Sequence, residues 1–474
     1  MNLRPKLTAE QAAANLAEKE PAYSAQEARV EADRCLYCYD APCIMACPTG
    51  IDIPGFIQKI STGNLTGSAR TILESNILGN SCARVCPTSV LCEGACVLED
   101  RDKKPIKIGR LQRFATDHVL QNNIQVVKPA AEKSGKKVAL VGGGPASLGC
   151  AAELVRLGHD AVIFEKKPAA GGLNTYGIAV YKMAPQVSIE EVEMIKGLGV
   201  EIRESVEVGK DITMDELRKD YDAVFLGIGL GGSRRLGFPG EDLLGVVEAV
   251  DFIEQLHRKP LDQVAVGEHV VVLGCGNTAI DALVQSKKLG ATTATIAYRR
   301  GEADMSAYPF EYEWAKQAGC QFEFDASPME VLSDNGAITG MRLARADGSE
   351  FTLPADMVIL SLGQSKMRET LAGWLPDLEL DPRGVIVVDP LSSATNIEGV
   401  YAGGDAANGG AEVVNAVADG KKAALDMHQK FTGETINPPV QTTRYGEEKA
   451  FGSGFENPVR APELEAAYFL KKER

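Results

Sequence analysis

The cysteines carry the first chemical signal. Eight of the eleven lie between Cys35 and Cys96, in the order Cys35-x2-Cys38-x4-Cys43-x3-Cys47-Pro48 and then Cys82-x3-Cys86-Pro87-x4-Cys92-x3-Cys96. An even scatter would put about one or two in such a window, so the clustering needs a chemical reason. The opening residues show no apolar signal segment, and in a reducing compartment grouped thiols serve metals better than disulfides. Structural zinc favours paired Cys-x2-Cys knuckles, of which this stretch has one. Three close cysteines followed by Cys-Pro instead follow the ferredoxin pattern, in which the last cysteine reaches across to a second cluster. The spacing therefore favours two [4Fe-4S] clusters, while thiolates suit both metals and spacing alone leaves zinc open.

The remaining elements must hold these thiols and bring electrons to them. The segment Ser24 to Arg34 (SAQEARVEADR) is charged and Ala-rich, which predicts a helix delivering Cys35. Lys128 to Lys137 (KPAAEKSGKK) reads as a linker. From Val138 to Lys166 the chain reads as strand, Gly-rich turn, helix and second strand ending at Glu165. There Gly142 permits the tight turn, Gly144 lets the backbone approach a pyrophosphate, and Glu165 is placed for ribose hydroxyls. Ser147 stands at the third glycine position of the motif and is small enough for helix-to-strand packing.

A second such unit opens at Val270 to Asp281 (VVVLGCGNTAID), with Gly274-x-Gly276-x-x-Ala279. Its next strand ends in Arg299 and Arg300 where the first ends in an acid, the position that reads the ribose of NAD or NADP. A late segment, Gly399 to Asp405 (GVYAGGD), puts Asp405 after a strand and a glycine pair, suited to the ribityl or pyrophosphate part of a flavin. Two copies plus this terminal motif weigh against a purely structural reading of the glycines. Adjacent charges such as Arg299 and Arg300 are commonly just solvated, but their place at the ribose end favours a cofactor role. Cys150, Cys275 and Cys320 sit alone in apolar settings and read as packed thiols. No Cys-x2-Cys lies in the second unit, so a thioredoxin-reductase mechanism has no residues to use.

Composition bounds the rest. At 474 residues, 45% hydrophobic and 48 glycines, the chain can bury several α/β cores. A net charge of −15 argues against nucleic acid or an anionic membrane as partner, and no run of about 18 apolar residues exists. A cytoplasmic protein is expected. The expected fold is α/β: a helical iron–sulfur domain over residues 1–127, then two Rossmann-like domains. The FAD domain spans 136–245 plus 350–432, the NAD(P) domain 246–349 is inserted in it, and an extended C-terminal tail covers 433–474. In that tail Tyr445, Phe451, Phe455, Tyr468 and Phe469 read as anchors for a partner.

DAPCIMACPTGIDIPGFI (Asp40 to Ile57), ILGNSCARVCPTSVLCEGAC (Ile77 to Cys96) and IGRLQRFATD (Ile108 to Asp117) resemble the N-terminal region of dihydropyrimidine dehydrogenase. The likeness continues through VALVGGGPAS, VVVLGCGNTAID and GVYAGGD, and extends more distantly to the glutamate synthase small subunit. By this resemblance one cluster falls to Cys35, Cys38, Cys43 and Cys96, and the other to Cys47, Cys86, Cys92 and Gln112, leaving Cys82 as a non-ligand. Gln112 favours the pyrimidine branch, since glutamate synthase small subunits tend to carry an acid there. FAD falls to Gly142, Gly144, Pro145, Ala146, Ser147, Glu165, Gly172, Leu173, Lys182, Gly404 and Asp405. NAD(P)H falls to Gly276, Asn277, Thr278, Arg299, Arg300, Leu362 and Gly363. Ser306 stands where NADP-dependent relatives place another arginine, which favours NADH over a possible NADPH.

The resemblance also implies a role. The chain carries no (β/α)8 barrel or FMN site, so it is expected to pass electrons from NADH through FAD and two [4Fe-4S] clusters to a separate FMN-containing, PreA-like large subunit, in a heterotetramer. That partner would reduce uracil or thymine to the 5,6-dihydropyrimidine, and no acid, base or nucleophile of this chain is assigned to the chemistry. The alternatives are a glutamate synthase small subunit and, in another class, a flavoprotein whose cysteine domain binds zinc for docking.

Overall fold

The computed structural model describes residues 3–436, so most of the predicted tail, with its aromatic anchors, lies outside the described residues. The chain divides into two units. The first comprises Glu20–Gly171, Val187–Gly229 and the chain from Glu369; the second comprises the chain up to Lys19, Gly172–Gln186 and Leu230–Arg368.

The cysteine-bearing part of the first unit is built from short helices. Ser24 caps the helix Ala25–Ala32 in a reciprocal box with Glu27, the end signal that the sequence displays. Further helices run over Ile53–Ser61, Leu65–Ser75, Gly79–Val85 and Ile108–Gln121. Their apolar faces bury Phe56, Ile57, Ile72, Leu73, Leu78 and Leu111. Full burial of each such side chain contributes about 1.5–3 kcal/mol. The same core continues into Leu148, Leu154 and Val155 of the helix Pro145–Arg156 and Val417 and Met427 of the helix Val413–Thr432. The cluster-type domain and the first Rossmann domain thus share one core.

That Rossmann domain has a five-stranded parallel sheet in the spatial order Val400–Ala402, Ala223–Leu226, Lys137–Val141, Asp160–Glu165, Glu201–Glu204. Lys137–Val141, central and buried on both faces, reads as a continuous apolar run for that reason.

The second unit repeats the plan. Strands Val246–Glu248, Met357–Leu360, His269–Leu273, Thr293–Ala297 and Gln321–Glu323 form a parallel sheet in that order. A three-stranded antiparallel sheet, Ser327–Asp334, Ala337–Ala344 and Glu350–Pro354, accompanies it.

Two boundaries differ from the sequence-based expectation. The insert runs from Leu230 to Arg368 rather than over 246–349, because Met357–Leu360 pairs with both Val246–Glu248 and His269–Leu273, and Ser233 bridges to Gln364. The first 19 residues belong to this unit and not to the cysteine domain. Arg4 bridges to Val266, Lys6 Nζ lies 2.6 Å from Glu268, and Leu16 is buried in the unit's core. Among the described residues no helix is long and apolar enough to cross a membrane.

Candidate metal centres and nucleotide sites

Two hollows are built by the cysteine segments. The first is lined by Cys35, Cys38, Cys43 and Cys96, with walls from Ile53, Ile57, Ile106 and Ile108. Local structure delivers each thiol: Cys35 follows the helix Ala25–Ala32, Cys43 lies in the helix Pro42–Met45, and Cys96 stands at the N-cap of Val97–Asp102. The second hollow is lined by Cys47, Cys82, Cys86, Cys92 and Gln112, with Ile51, Leu91 and Val414 among its walls. Cys96 thus leaves the second block for the first hollow, and Cys47 leaves the first block for the second.

The donor set suits a soft, positively charged metal group. Burial pushes the thiols of Cys35, Cys38, Cys43 and Cys92 above the ordinary thiol range, and Cys86 is raised by its hydrogen bond with Cys82 and by burial. Cationic iron is what such thiols need in order to stay deprotonated, so metal entry releases protons. Gln112 differs in kind. Its Nε2 donates to the carbonyl of Gly79 at 2.6 Å, which leaves Oε1 as the amide atom for a ligand role. Cys82 lines the same hollow, and its Sγ accepts from Nδ2 of Asn76 at 3.2 Å.

Sequence reasoning missed the residues that aim Gln112. Glu93, buried beside Cys92, accepts from the Gly109 amide at 3.1 Å and meets Lys107 Nζ at 3.3 Å, fixing the start of the helix Ile108–Gln121. Arg84 donates to both oxygens of Asp117 at 2.9 and 3.1 Å, tying the helix Gly79–Val85 to the one that bears Gln112. Charged residues so scattered along the chain give no local signal.

In the first unit the flavin-type residues converge. Gly142 has φ +88°, and a Cβ there would lie 2.6 Å from the carbonyl oxygen of Gly227, so glycine is required. Gly144 is the N-cap of the helix Pro145–Arg156, whose first turn holds Pro145, Ala146 and Ser147. Glu165 Oε2 accepts from the Gly143 amide at 2.6 Å and Oε1 from the Lys167 amide at 2.7 Å. Gly404, at φ +64°, packs against Ala146, a Cβ there lying 3.1 Å from the alanine methyl. This brings Asp405 to the same helix end. Ser147 Oγ is buried without a hydrogen-bond partner, an orphan donor beside a positive helix terminus, and the constellation fits a dinucleotide phosphate.

Gly172, Leu173 and Lys182 fall in the other unit. Lys182 Nζ lies 2.8 Å from Asp281 and 2.8 Å from Glu311. Burial alone would lower its pKa, but the two carboxylates outweigh burial and raise it. Next to Leu173, Asn174 is 1% exposed with neither amide atom partnered, an orphan that the sequence did not flag.

The same unit holds the second glycine turn. Gly274 has φ +116°, and a Cβ would meet the Ser361 carbonyl oxygen at 2.1 Å, which sets the Leu362–Gly363 turn beside it. Gly276 is the N-cap of Asn277–Lys288; Asn277 Oδ1 accepts from the Tyr308 amide at 2.9 Å, while Thr278 is exposed. Arg299 and Arg300 follow the strand Thr293–Ala297 and are exposed. Ser306 Oγ lies 3.4 Å from the Cys275 carbonyl, beside this turn. Cys150, Cys275 and Cys320 are buried, as packed thiols should be.

Two Rossmann-like sheets following a cysteine-rich helical domain define an iron–sulfur pyridine-nucleotide oxidoreductase. Residues 12–124 match the family described as "Dihydroprymidine dehydrogenase domain II, 4Fe-4S cluster", and residues 136–420 match "Pyridine nucleotide-disulphide oxidoreductase". The glutamate synthase [NADPH] small chain of Escherichia coli K12 is 36% identical over 433 residues, covering 85% of this chain and 91% of that one. The NAD-dependent dihydropyrimidine dehydrogenase subunit PreT of Salmonella typhimurium is 35% identical over 415 residues, covering 87% and 96%. T. acidophilum thioredoxin reductase superposes with a TM-score of 0.52 at 24% identity over 62% of this chain and 99% of that one, a likeness of fold alone. The chain belongs to the dihydropyrimidine dehydrogenase and glutamate synthase small-subunit family of iron–sulfur flavoprotein oxidoreductases.

Proposed function

We propose that this chain is the electron-input subunit of a dihydropyrimidine dehydrogenase. Electrons from NADH enter here and leave, by way of FAD and two [4Fe-4S] clusters, for an FMN-containing subunit that reduces uracil or thymine. When bound, FAD takes a hydride and releases electrons singly, and the clusters carry one at a time. Cys35, Cys38, Cys43 and Cys96 would hold one cluster, and Cys47, Cys86, Cys92 and Gln112 the other. The Gly142–Ser147 turn, Glu165, Gly404 and Asp405 would hold FAD, and Gly276, Asn277, Arg299 and Arg300 the nicotinamide nucleotide. The heterotetramer with the FMN subunit is part of the same proposal.

One observation carries the choice of branch: the second hollow offers Gln112, its amide nitrogen already engaged by Gly79, where an acid would suit the glutamate synthase branch. The other reading stays open to test because identity to the two relatives is nearly equal, 36% and 35%. Purified protein should reduce uracil with NADH only when the FMN subunit is added. Glutamate formation with an amidotransferase-bearing synthase subunit, without uracil reduction, would establish the second reading instead.

A further inference from the structure

Five donor residues line the second hollow, one more than a cubane can use: Cys47, Cys82, Cys86, Cys92 and Gln112. The surplus cysteine is not idle. Cys82 and Cys86 stand four residues apart where the helix Gly79–Val85 ends, with the Cys86 amide donating to the Cys82 carbonyl at 3.1 Å. That spacing puts both side chains on one helix face, and both cysteines line the same hollow. On its other side the Cys82 sulfur accepts from Asn76 Nδ2 at 3.2 Å. Asn76 is itself fixed, since its Oδ1 accepts from the Leu78 amide at 3.0 Å. Asn76 is 0% and Cys82 3% exposed, so solvent does not compete for these bonds.

The order of donors follows from this arrangement. Asn76 donates to the Cys82 sulfur, so the Cys82 S–H is available to a thiolate at Cys86 in the hollow that both residues line. Once Cys86 is a thiolate on iron, it can only accept. We infer that Cys82 is a positioning residue, not a ligand: its S–H, polarised by Asn76, donates to the Cys86 thiolate and raises the reduction potential of the cluster in the second hollow. A donor on a ligating sulfur stabilises the more negative, reduced cluster, and hydrogen bonds to sulfur are among the levers that set cluster potentials. Donation in a chain strengthens the terminal bond. The inference rests on the proposed ligand role of Cys86, and it assigns a job to the one cysteine of the cluster region that the ligand sets leave over.

The test is a redox titration followed by electron paramagnetic resonance on the full-length protein as Cys82→Ala and Cys82→Ser, with iron and sulfide measured on the same samples. Alanine removes the donor; serine restores one of about the same size. Cys82→Ala should keep the wild-type iron content, lower the midpoint of one cluster and leave the other unchanged, and Cys82→Ser should recover most of that shift. Unchanged midpoints in Cys82→Ala, or a shift that serine does not recover, would overturn the relay. Loss of one cluster in Cys82→Ala would overturn it in another way, by making Cys82 a ligand. Wild-type protein without clusters would instead sink the reading beneath it.

Discussion

Gly420 lies so close to Ala146 that a Cβ on the glycine would sit 2.1 Å from the alanine carbonyl oxygen and 2.7 Å from the amide nitrogen of Cys150. Here the helix Val413–Thr432 meets the helix Pro145–Arg156 backbone to backbone, with Gly149 making the reciprocal approach to Val417. Ala146 belongs to the first turn of the flavin-type helix, so this contact also sets the candidate cofactor site.

Gly420→Ala must push the two helices apart, and overpacking of this severity costs about 3 kcal/mol. Flavin content should fall with it, because the glycine turn moves. Gly197→Ala is the control: no atom lies within 4 Å of a Cβ there, and stability should rise by about 0.5 kcal/mol. Denaturant midpoints and flavin absorbance after gel filtration read both effects. Equal behaviour of the two variants would contradict the close approach.

A carboxyl group at the start of the helix Gly79–Val85 should make stability depend on pH. Glu191 Oε1 accepts from the amides of Asn80 and Ser81 at 2.8 and 2.9 Å, and Oε2 accepts from the Ser81 hydroxyl, capping the helix that carries Cys82. Burial outweighs these bonds and pushes the acid up to about 7. A raised carboxyl stabilises the fold fully below its unfolded value near 4.5, and that contribution drains away as pH climbs towards 7. The loss across this window is about 3 kcal/mol. Glu191→Gln keeps the acceptor and cannot ionise, so its unfolding free energy should fall less than that of wild type between pH 5 and 8. Parallel curves would refute the assignment. Glu191→Ala strands two buried amides and should cost about 2–5 kcal/mol at any pH.

Two cubanes predict about eight irons and eight acid-labile sulfides per chain. Cys86→Ser should lose about half of each, whereas Cys82→Ser should retain both clusters. Stoichiometric zinc with no cluster absorbance would return the cysteine domain to the docking role.

Coenzyme choice turns on Arg299 and Arg300 against Ser306. NADH should win in kcat/KM for dye reduction by about tenfold or more, which corresponds to about 1.4 kcal/mol. Arg299→Ala should then reduce NADPH use more than NADH use. If NADPH proves equal or better in the wild type, the exposed arginine pair binds the 2′-phosphate without a third cation.

Removing Lys182 should destabilise the second unit whether or not flavin is bound. Asp281 and Glu311, both mostly buried, would face each other without their shared cation, a change that costs about 3–5 kcal/mol. Lys182→Ala measured by thermal unfolding of flavin-free protein checks this, and an unchanged midpoint would argue that the lysine serves the flavin alone.

By itself the sequence determined what local chemistry controls. The Ser24–Glu27 box starts its helix, the glycine turns at Gly142 and Gly274 adopt positive φ, and the two thiol-rich blocks announce metal. Each depends on a few adjacent residues and on backbone sterics, so each can be read in a window. The crosswise grouping of the thiols came from family resemblance rather than spacing, because many pairings of eight cysteines satisfy the same intervals. Only the tertiary structure decided which other residues meet across long separations: Glu191 with Ser81, Lys182 with Asp281 and Glu311, and the N-terminal arm with the second unit. Those contacts are selected by how whole faces pack, and a buried charge or amide is tolerated only where its partner arrives from elsewhere in the chain. No residue in the arm or around Glu191 carries that information alone.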